Sequence, residues 1–333
     1  MFRESLEDAI SYDEENLDYF IERLRDENAD VIVLQEAHTP LKKGEATQSE
    51  IIAKRLGYSF TVNHLYGRSH IKSGQQLSLA TLSKFPIVHS DFHKIPNPGL
   101  SIVRPNGDKW VSFDVGFLVC EIDYNGISIN IANGHMVPFH YFKRDFAEPD
   151  FKNVRSAIGE LCISLSGRPT LIGADFNYNN VVALLPDIYK NDLYREAFVG
   201  IETIPGRGQQ DHMLFSRQWH LINSEVKKVE ADHFQFIAAD FFKKESRSPR
   251  GGGVWGGIRA GESVAPPPLP QKNSGGAHHF RFLFLDLCIR FGKIISKVCP
   301  VGNLFSFGVC EGFNSGAKLY VATVLQKDGK IMV

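Results

Sequence analysis

Four short polar motifs beside hydrophobic runs limit the fold of this chain more than any other feature of its sequence. The motifs are Gln35-Glu36, Gly134-His135, Gly173-Ala174-Asp175-Phe176-Asn177 and Asp232-His233. The first three follow an apolar run, and the fourth precedes one. A strand that stops at a carboxylate, a histidine or an amide places that group at the rim of a sheet. Four such strands predict one site, and its side chains suit a divalent metal and a phosphate ester.

Local patterns predict the elements around these motifs. Ser11 with Glu14, and Thr47 with Glu50, have the spacing of capping boxes that begin helices. The continuous apolar run 31–34 predicts a strand that is buried on both faces. Asn125-Gly126 between two β-like runs predicts a tight hairpin. Many strands with few helices between them predict two packed sheets with helices outside.

Composition and charge exclude several classes of protein. The 333 residues suffice for one large or two modest domains. The five cysteines lack CxxC spacing and are interpreted as reduced thiols that mostly pack. No signal peptide or membrane-spanning run is visible, which favours a cytoplasmic location. Residues 1–243 contain 25 Lys/Arg against 33 Asp/Glu, so a long, general nucleic-acid groove is disfavoured, but a small phosphate held by a metal is not.

A change in composition past Lys244 predicts the domain organisation. Residues 1–243 form the predicted catalytic domain, residues 244–279 a Gly/Pro-rich linker, and residues 280–333 a tail. Within the tail, residues 280–310 are apolar but interrupted by charges. A poorly ordered tail is the first interpretation, and an amphipathic helix on a membrane or a partner is the alternative. Residues 244–333 are expected to be dispensable for the chemistry.

The candidate site residues each have a structural as well as a functional interpretation. Glu36 can bind a cation or pair with a basic residue. Asp175 and Asn177 are separated by Phe176, so in an extended segment their side chains point the same way. The structural interpretation is an Asx turn, and the two interpretations are compatible. His135 alone is the weakest of the candidates.

The Asp232-His233 pair is the strongest of the motifs. A histidine that acts on a phosphate needs a carboxylate to orient it. Because neighbouring residues in a strand face opposite ways, Asp232 is a poor partner for His233. Asp211, on a neighbouring predicted strand, is the better candidate.

In this order, the four motifs resemble those of the endonuclease/exonuclease/phosphatase superfamily. The run from Leu79 to Ile87 resembles that family's "ailSrfPi" strand and turn, and Asp211–Ser216 resembles its "iDhilvS" strand. The resemblance covers about residues 10–243. It implies a four-layer αββα sandwich of two mainly antiparallel sheets with an extra C-terminal tail. It also implies a Mg²⁺ or Mn²⁺ site that assists the attack of water on phosphorus.

The resemblance also implies a role for each site residue. Glu36 would bind the metal, and Asp232 would lie near it. Asp175 would position or deprotonate the water, and Asn177 would hold the phosphate. His135 would contact the phosphate from the other side, and Asp211 would orient His233. The expected function is a metal-dependent phosphoesterase. Its substrate is open among a nucleic acid, a phospholipid head group and a small phosphate.

One departure from the family concerns the start of the chain. Family members begin with a strand that contains an Asn, roughly 30 residues before the Gln-Glu motif. This chain begins Met1-Phe2-Arg3-Glu4 and shows no such strand. Either the true start lies upstream, or a central strand and a ligand of the metal site are absent. The absence of the strand would leave unpaired backbone groups and a marginal domain, and the absence of the ligand would weaken activity. The alternative function is therefore a catalytically impaired, truncated member that acts as a binding or relic protein.

Overall fold

Two large sheets dominate the computed structural model. It describes residues 14–69, 73–104, 107–204, 206–228, 235–243, 279–286, 325–327 and 330–332. The strands are β1 (Val31–Pro40), β2 (Phe60–Arg68), β3 (Gln75–Ser83), β4 (Ile87–Lys94), β5 (Ser101–Val103), β6 (Lys109–Val111), β7 (Gly116–Tyr124), β8 (Ile127–His135), β9 (Thr170–Asp175), β10 (Tyr194–Glu196), β11 (Asp211–Ser216), β12 (Trp219–Lys228), β13 (Gln235–Lys243), β14 (His279–Asp286), β15 (Leu325–Lys327) and β16 (Lys330–Met332).

Helices are fewer and mostly short. They are α1 (Glu14–Glu27), α2 (Gln48–Leu56), α3 (Lys152–Leu165), α4 (Val181–Leu184) and α5 (Pro186–Lys190), with 3₁₀ helices at Phe139–Phe142 and Pro149–Phe151. The first sheet has the order β12-β13-β14-β1-β3-β2, and the second has the order β10-β11-β9-β8-β7-β4. Only β1–β14 and β8–β9 pair in parallel within these two sheets, so both are mainly antiparallel.

Three hydrophobic cores separate four layers. Phe20 of α1 shares the first core with Leu34 of β1, which covers the outer face of the first sheet. Val33 of β1 and Leu118 of β7 belong to the core between the two sheets. Ile158 of α3 belongs to the core on the outer face of the second sheet. The chain therefore forms the predicted αββα sandwich, and the continuous apolar run of β1 is explained by cores on both of its faces.

The predicted local signals are present where the structure describes them. Thr47 and Glu50 form both hydrogen bonds of a capping box, and Gly57 ends α2 in the left-handed region at φ 79°. Asn125 and Gly126 have φ values of 53° and 81° and join β7 to β8. Positive φ at both central residues is what a type I′ turn requires. Helix α1 spans Glu14–Glu27, and Ser11 of its predicted capping box lies outside the described residues.

The predicted boundary at residue 243 excludes a strand that the first sheet contains. Strand β14 lies between β13 and β1, antiparallel to β13 and parallel to β1. Its Phe280, Phe282 and Leu283 are buried. For residues 279–286, both a poorly ordered tail and an amphipathic helix are wrong. A segment rich in Phe and Leu has the aromatic character of a strand, and it pairs where both neighbours offer backbone groups.

Strand β14 also covers the edge of β1 that the sequence predicted to be open. The backbone of Arg281 exchanges hydrogen bonds with Asp30, with Asp30 N donating to Arg281 O at 2.8 Å and Arg281 N donating to Asp30 Oδ2 at 2.8 Å. The Arg281 guanidinium donates to the buried carboxylate of Glu27 at 2.6 Å. Lys227 pairs with the same carboxylate. These charged contacts attach the strand to the end of α1, so the expected gap in the sheet is filled.

Two of the five cysteines lie in the described residues. Cys120 and Cys162 are free and buried. Burial raises the pKa of the Cys120 thiol to about 11 and that of the Cys162 thiol to about 12. Both thiols are therefore protonated at neutral pH, as expected for packing cysteines.

By its internal contacts the chain divides into residues Met1–Lys293 and Ile294–Val333. The first unit contains both large sheets. In the second, β15 and β16 pair as an antiparallel hairpin. Among the described residues, none of the helices is long and apolar enough to cross a membrane. The limits predicted for the linker and the tail otherwise remain predictions.

Candidate functional site

A bulge in β1 places Glu36 at the candidate site. The register between β1 and β3 shifts between Leu34 and Ala37. At the shift, Glu36 has a φ of 51°, in the left-handed region that residues with a side chain seldom adopt. Such a bulge re-aims a side chain out of the regular ladder. Glu36 is nonetheless buried, with 6% of its surface exposed.

His135 lies at the end of β8, between two carboxylates. It is in register with Asp175 at the end of the parallel strand β9. The His135 Nε2 atom lies 3.7 Å from Asp175 Oδ2 and 4.0 Å from Glu36 Oε1. All three side chains are buried. The structure thus brings together a glutamate from the first sheet with a histidine and an aspartate from the second.

Asp175 and Asn177 form a turn that leaves β9. The Asn177 backbone N–H donates to Asp175 Oδ1 at 2.6 Å, and Asn177 Nδ2 donates to Asp175 Oδ2 at 3.1 Å. Asn177 Nδ2 also donates to the Met136 carbonyl at 3.0 Å. Phe176 is fully buried. The Asx turn is present, and Asn177 leaves the extended conformation with a φ of 50°. The side chain of Asn177 therefore reaches Asp175 through the turn and not through the alternation of an extended segment.

Asp211 begins β11 directly beside Asp175. The two residues are opposite each other in the antiparallel pair β11–β9. Asp211 is 1% exposed, and its backbone N–H donates to Thr203 Oγ1 at 3.1 Å. The predicted partner His233 and the neighbouring Asp232 lie outside the described residues. Their predicted roles therefore stay predictions.

Tyr66 is a site residue that the sequence did not indicate. Its hydroxyl lies 2.8 Å from His135 Nδ1, and the two rings meet edge to face with centroids 5.6 Å apart. Strand β2 runs from Phe60 to Arg68, and its Val62 and Tyr66 both pack against the core between the sheets. Period-two alternation extended from Val62 would have placed Tyr66 on the same face of that strand.

Asn133 and Gly134 precede His135 on β8 and hold the site in place, and of these two only Gly134 belongs to a motif that the sequence indicated. Asn133 Nδ2 donates to the carbonyls of Leu34 and Ala80 at 3.0 and 2.9 Å, and its Oδ1 accepts from the amide of Gln35. These bonds join β8 to the first sheet two residues before His135. At Gly134, a Cβ would lie 2.3 Å from the Phe117 ring, so only glycine fits between Asn133 and His135.

The donor set is compatible with a hard divalent cation. Mg²⁺ usually takes one or two protein carboxylates and completes its shell with water and phosphate oxygens. Glu36 and Asp175 provide two carboxylates that both approach His135. The described residues contain no group of three or more His, Cys, Asp or Glu side chains able to hold a metal by themselves. A cation here would therefore depend on substrate and water for most of its ligands.

The endonuclease/exonuclease/phosphatase family model matches residues 8–241 of the chain. Together with the αββα fold, this match defines the class of protein, a phosphoesterase-type hydrolase. The match spans more than half of the 333 residues, and the chain belongs to the endonuclease/exonuclease/phosphatase family.

Several solved structures are similar to this one. The catalytic domain of human Nocturnin with bound sulfate is 16% identical over 69% of this chain and 87% of that chain, with a TM-score of 0.49. A mannosyl-6-phosphatase from Bacteroides thetaiotaomicron is 13% identical over 68% and 90%, with a TM-score of 0.46. A family protein from Leptotrichia buccalis is 13% identical over 66% and 88%, also with a TM-score of 0.46. A search of curated protein sequences gave no significant match.

Proposed function

We propose that this chain hydrolyses a phosphate ester by direct attack of water, with the assistance of Mg²⁺ or Mn²⁺. The observation that supports this most is that the carboxylates of Glu36 and Asp175 each lie within 4.0 Å of His135 Nε2. They come from both sheets and meet at one rim, as a site assembled on rigid strands would.

Asp175 is the proposed acceptor for the proton of the attacking water. Its two oxygens already accept hydrogen bonds from Asn177, which fixes the direction of the carboxylate. His135 Nε2 is the proposed donor to a phosphoryl oxygen. The Asn177 amide donates to Asp175 Oδ2 and to the Met136 carbonyl, so Asn177 must release one of these bonds before it can hold a phosphate.

Glu36 is the proposed principal protein ligand of the cation, and Asp232 is proposed to lie near it. When bound, such a cation offsets negative charge that develops on the phosphoryl oxygens. Asp211 is proposed to orient His233, which would then act as a base or as a positive partner of the phosphate. Of these residues, Glu36 and Asp211 are described by the structure.

Hydrolysis of two synthetic esters tests the reaction class. Bis-p-nitrophenyl phosphate reports a diesterase, and p-nitrophenyl phosphate reports a monoesterase. Each is incubated with Mg²⁺, Mn²⁺ or EDTA. Turnover of either ester that EDTA abolishes supports the proposal, and turnover that survives EDTA contradicts the metal requirement. Absence of turnover with both esters and both metals would favour the impaired, truncated member instead.

Variants of the site separate catalysis from folding. Asp175→Asn, Glu36→Gln and His233→Ala should each lower kcat about 100-fold or more, because one lost electrostatic contact at a reacting centre costs roughly 3–4 kcal/mol. Asp192→Asn is the matched control, since this exposed residue pairs only with Arg195 at the surface. Near wild-type turnover in any site variant at saturating metal would remove that residue from its proposed role.

The alternative of a truncated, impaired protein depended on an open edge beside β1 and on a missing metal ligand. Strand β14 occupies that edge, which removes the argument from stability. The argument from the missing ligand is tested by the turnover of the two esters with and without metal.

A further inference from the structure

Two aromatic side chains lie between two arginines in a row beside the candidate site. We name Arg104, Trp110, Tyr141 and Arg207 the arginine–aromatic strip. The Arg104 guanidinium lies 4.5 Å from the centre of the Trp110 ring, whose centroid is 5.6 Å from that of Tyr141. Arg207 Nη1 donates to the Tyr141 hydroxyl at 2.7 Å, and its guanidinium lies 5.2 Å from the Tyr141 ring centre. The four side chains thus form one continuous surface.

Tyr141 and Arg207 of the strip lie on loops that leave the site, whereas Trp110 lies on β6 and Arg104 directly follows β5. Tyr141 lies on the 3₁₀ helix that follows His135 after three residues, and the first of these, Met136, donates its N–H to the Asp175 carbonyl at 2.8 Å. Arg207 lies on the loop that enters β11 at Asp211. The strip therefore borders the rim at which the site residues meet.

A second contact fixes the Arg207 loop against the turn after β9. Gln210 Nε2 donates to the Arg207 carbonyl at 3.0 Å and also to Asn179 Oδ1. Gly208 packs so closely on Asn179 that a Cβ at this position would lie 3.1 Å from the Asn179 amide. Because Asn179 is two residues from Asn177, the position of Arg207 is linked to that of the site.

Neither arginine of the strip forms an ion pair with a described residue. In contrast, Arg144, Arg168 and Arg195 each pair with a carboxylate. Stacking against an aromatic ring holds the planar guanidinium and leaves N–H groups at its edge, in the fork that matches a phosphate. Arg104 is half-buried and Arg207 is exposed, so an anion can reach both.

His140 adds a neutral neighbour to this strip. Its Nε2 lies 3.3 Å from Arg207 Nη1. Although the residue is exposed as a whole, desolvation and the charge of Arg207 lower the pKa of His140 to about 4. At neutral pH it is uncharged and can accept a hydrogen bond from Arg207. The imidazole therefore holds Arg207 without neutralising its charge.

We propose that the arginine–aromatic strip binds a second phosphate of the substrate, different from the one that is cleaved. This inference rests on the proposed function, and it narrows the substrate to molecules with at least two phosphates. An oligonucleotide backbone and a bisphosphorylated small molecule share that chemistry. Two arginines on a region that is otherwise rich in acidic residues would select such a substrate over a monophosphate.

A matched pair of substrates isolates the second phosphate. The p-nitrophenyl ester of thymidine 5′-phosphate is compared with the same ester that also bears a 3′-phosphate. The reacting group is identical, so the ratio of the two kcat/KM values measures the added phosphate alone. For the wild-type protein we expect a ratio of about ten or more in favour of the 3′-phosphorylated ester, because charge-assisted hydrogen bonds to one phosphate are worth about that factor.

Substitutions in the strip should remove this preference. Arg207→Gln and Arg104→Gln are each expected to lower the ratio several-fold, and the double variant should bring it close to one. Arg168→Gln, which removes an arginine paired with Glu121, is the control and should leave the ratio unchanged. A wild-type ratio near one, or an unchanged ratio in the double variant, would overturn the proposal. Thermal melting confirms that each variant is folded.

A binding experiment keeps this test independent of catalysis. If neither ester is hydrolysed, the proposed function fails, but calorimetry can still compare thymidine 3′,5′-bisphosphate with thymidine 5′-phosphate. Tighter binding of the bisphosphate, lost in the double variant, supports the strip, and equal binding overturns it. Competition by an eight-residue oligothymidylate or by fructose 1,6-bisphosphate then identifies the source of the second phosphate. If neither competes better than its monophosphate counterpart, the strip is not a phosphate subsite.

Discussion

At the scale of single residues, the contacts of His135 determine which ring nitrogen bears the proton. Its Nε2 faces Asp175 Oδ2 and Glu36 Oε1, and negative charge on that side favours a proton on Nε2. Its Nδ1 is then an acceptor for the Tyr66 hydroxyl at 2.8 Å. Tyr66 would thus be a positioning residue that keeps His135 as a donor toward the site.

Removing this hydroxyl tests that assignment. Tyr66→Phe should lower kcat about tenfold with a smaller change in KM, because His135 loses the partner that favours one tautomer. The ¹⁵N chemical shifts of the His135 ring should move toward a mixture of tautomers. Tyr58→Phe removes another buried hydroxyl, bonded to the Ala29 carbonyl, and is the control. Unchanged kcat and ring shifts in Tyr66→Phe would show that the hydrogen bond has no such role.

Two glycines give a matched pair of stability predictions. Gly134→Ala should destabilise the protein by about 1–3 kcal/mol, because the new methyl group would overlap the Phe117 ring. Gly159→Ala should stabilise it by roughly 0.5–1 kcal/mol, since Gly159 lies inside α3 and a Cβ there has no atom within 4 Å. Urea denaturation measures both. Equal effects of the two substitutions would mean that the packing at Gly134 relaxes without cost.

At the scale of elements, β14 is the strand on which the first sheet most depends. It supplies backbone partners to both β1 and β13, and without it each of them exposes a row of unpaired N–H and C=O groups. The expectation that residues beyond 243 are dispensable therefore fails for this strand. A chain that ends at residue 243 should lose cooperative folding.

A single substitution in β14 tests the contribution of this strand to stability without removing the strand. Leu283→Ala should cost about 2–5 kcal/mol, because Leu283 is fully buried in the core beneath α1 and α2. Ile222→Ala on β12 is the control, since Ile222 is 52% exposed and should change stability by about 0.5 kcal/mol or less. The free energies of unfolding come from denaturant titrations. A loss below about 1 kcal/mol for Leu283→Ala would show that β14 is weakly attached.

At the scale of the whole molecule, binding of the cation should raise the stability of the folded protein. A ligand that binds only the folded state at 100 times its Kd stabilises that state by about 2.7 kcal/mol. Mg²⁺ should therefore raise Tm in the wild-type protein, and Glu36→Gln should remove most of that rise. Glu45→Gln, a surface residue paired with Lys42, should retain it. An equal rise in Tm for wild type and Glu36→Gln would place the cation elsewhere.

The sequence by itself was sufficient for features whose causes are local. The capping box at Thr47 and Glu50 depends on residues three apart, and the Asn125-Gly126 turn on two neighbours. The buried run 31–34 depends on the need to cover two faces of one strand. The positions of His135 and Asp175 at strand ends followed from the same patterns, because a strand's end is visible in its own residues. For Glu36 the expected strand end is wrong, since β1 continues to Pro40 and Glu36 lies at a bulge within it.

Only the tertiary structure decided which of these elements are neighbours. The bond from Arg281 N to Asp30 spans 251 positions, and no local pattern indicates it. The contacts of Tyr66 with His135 and of Arg207 with Tyr141 arise in the same way, from elements distant in sequence. The physical reason is that hydrophobicity and propensity specify an element, whereas its partner is selected by whichever unpaired edge and uncovered face the rest of the folded chain offers.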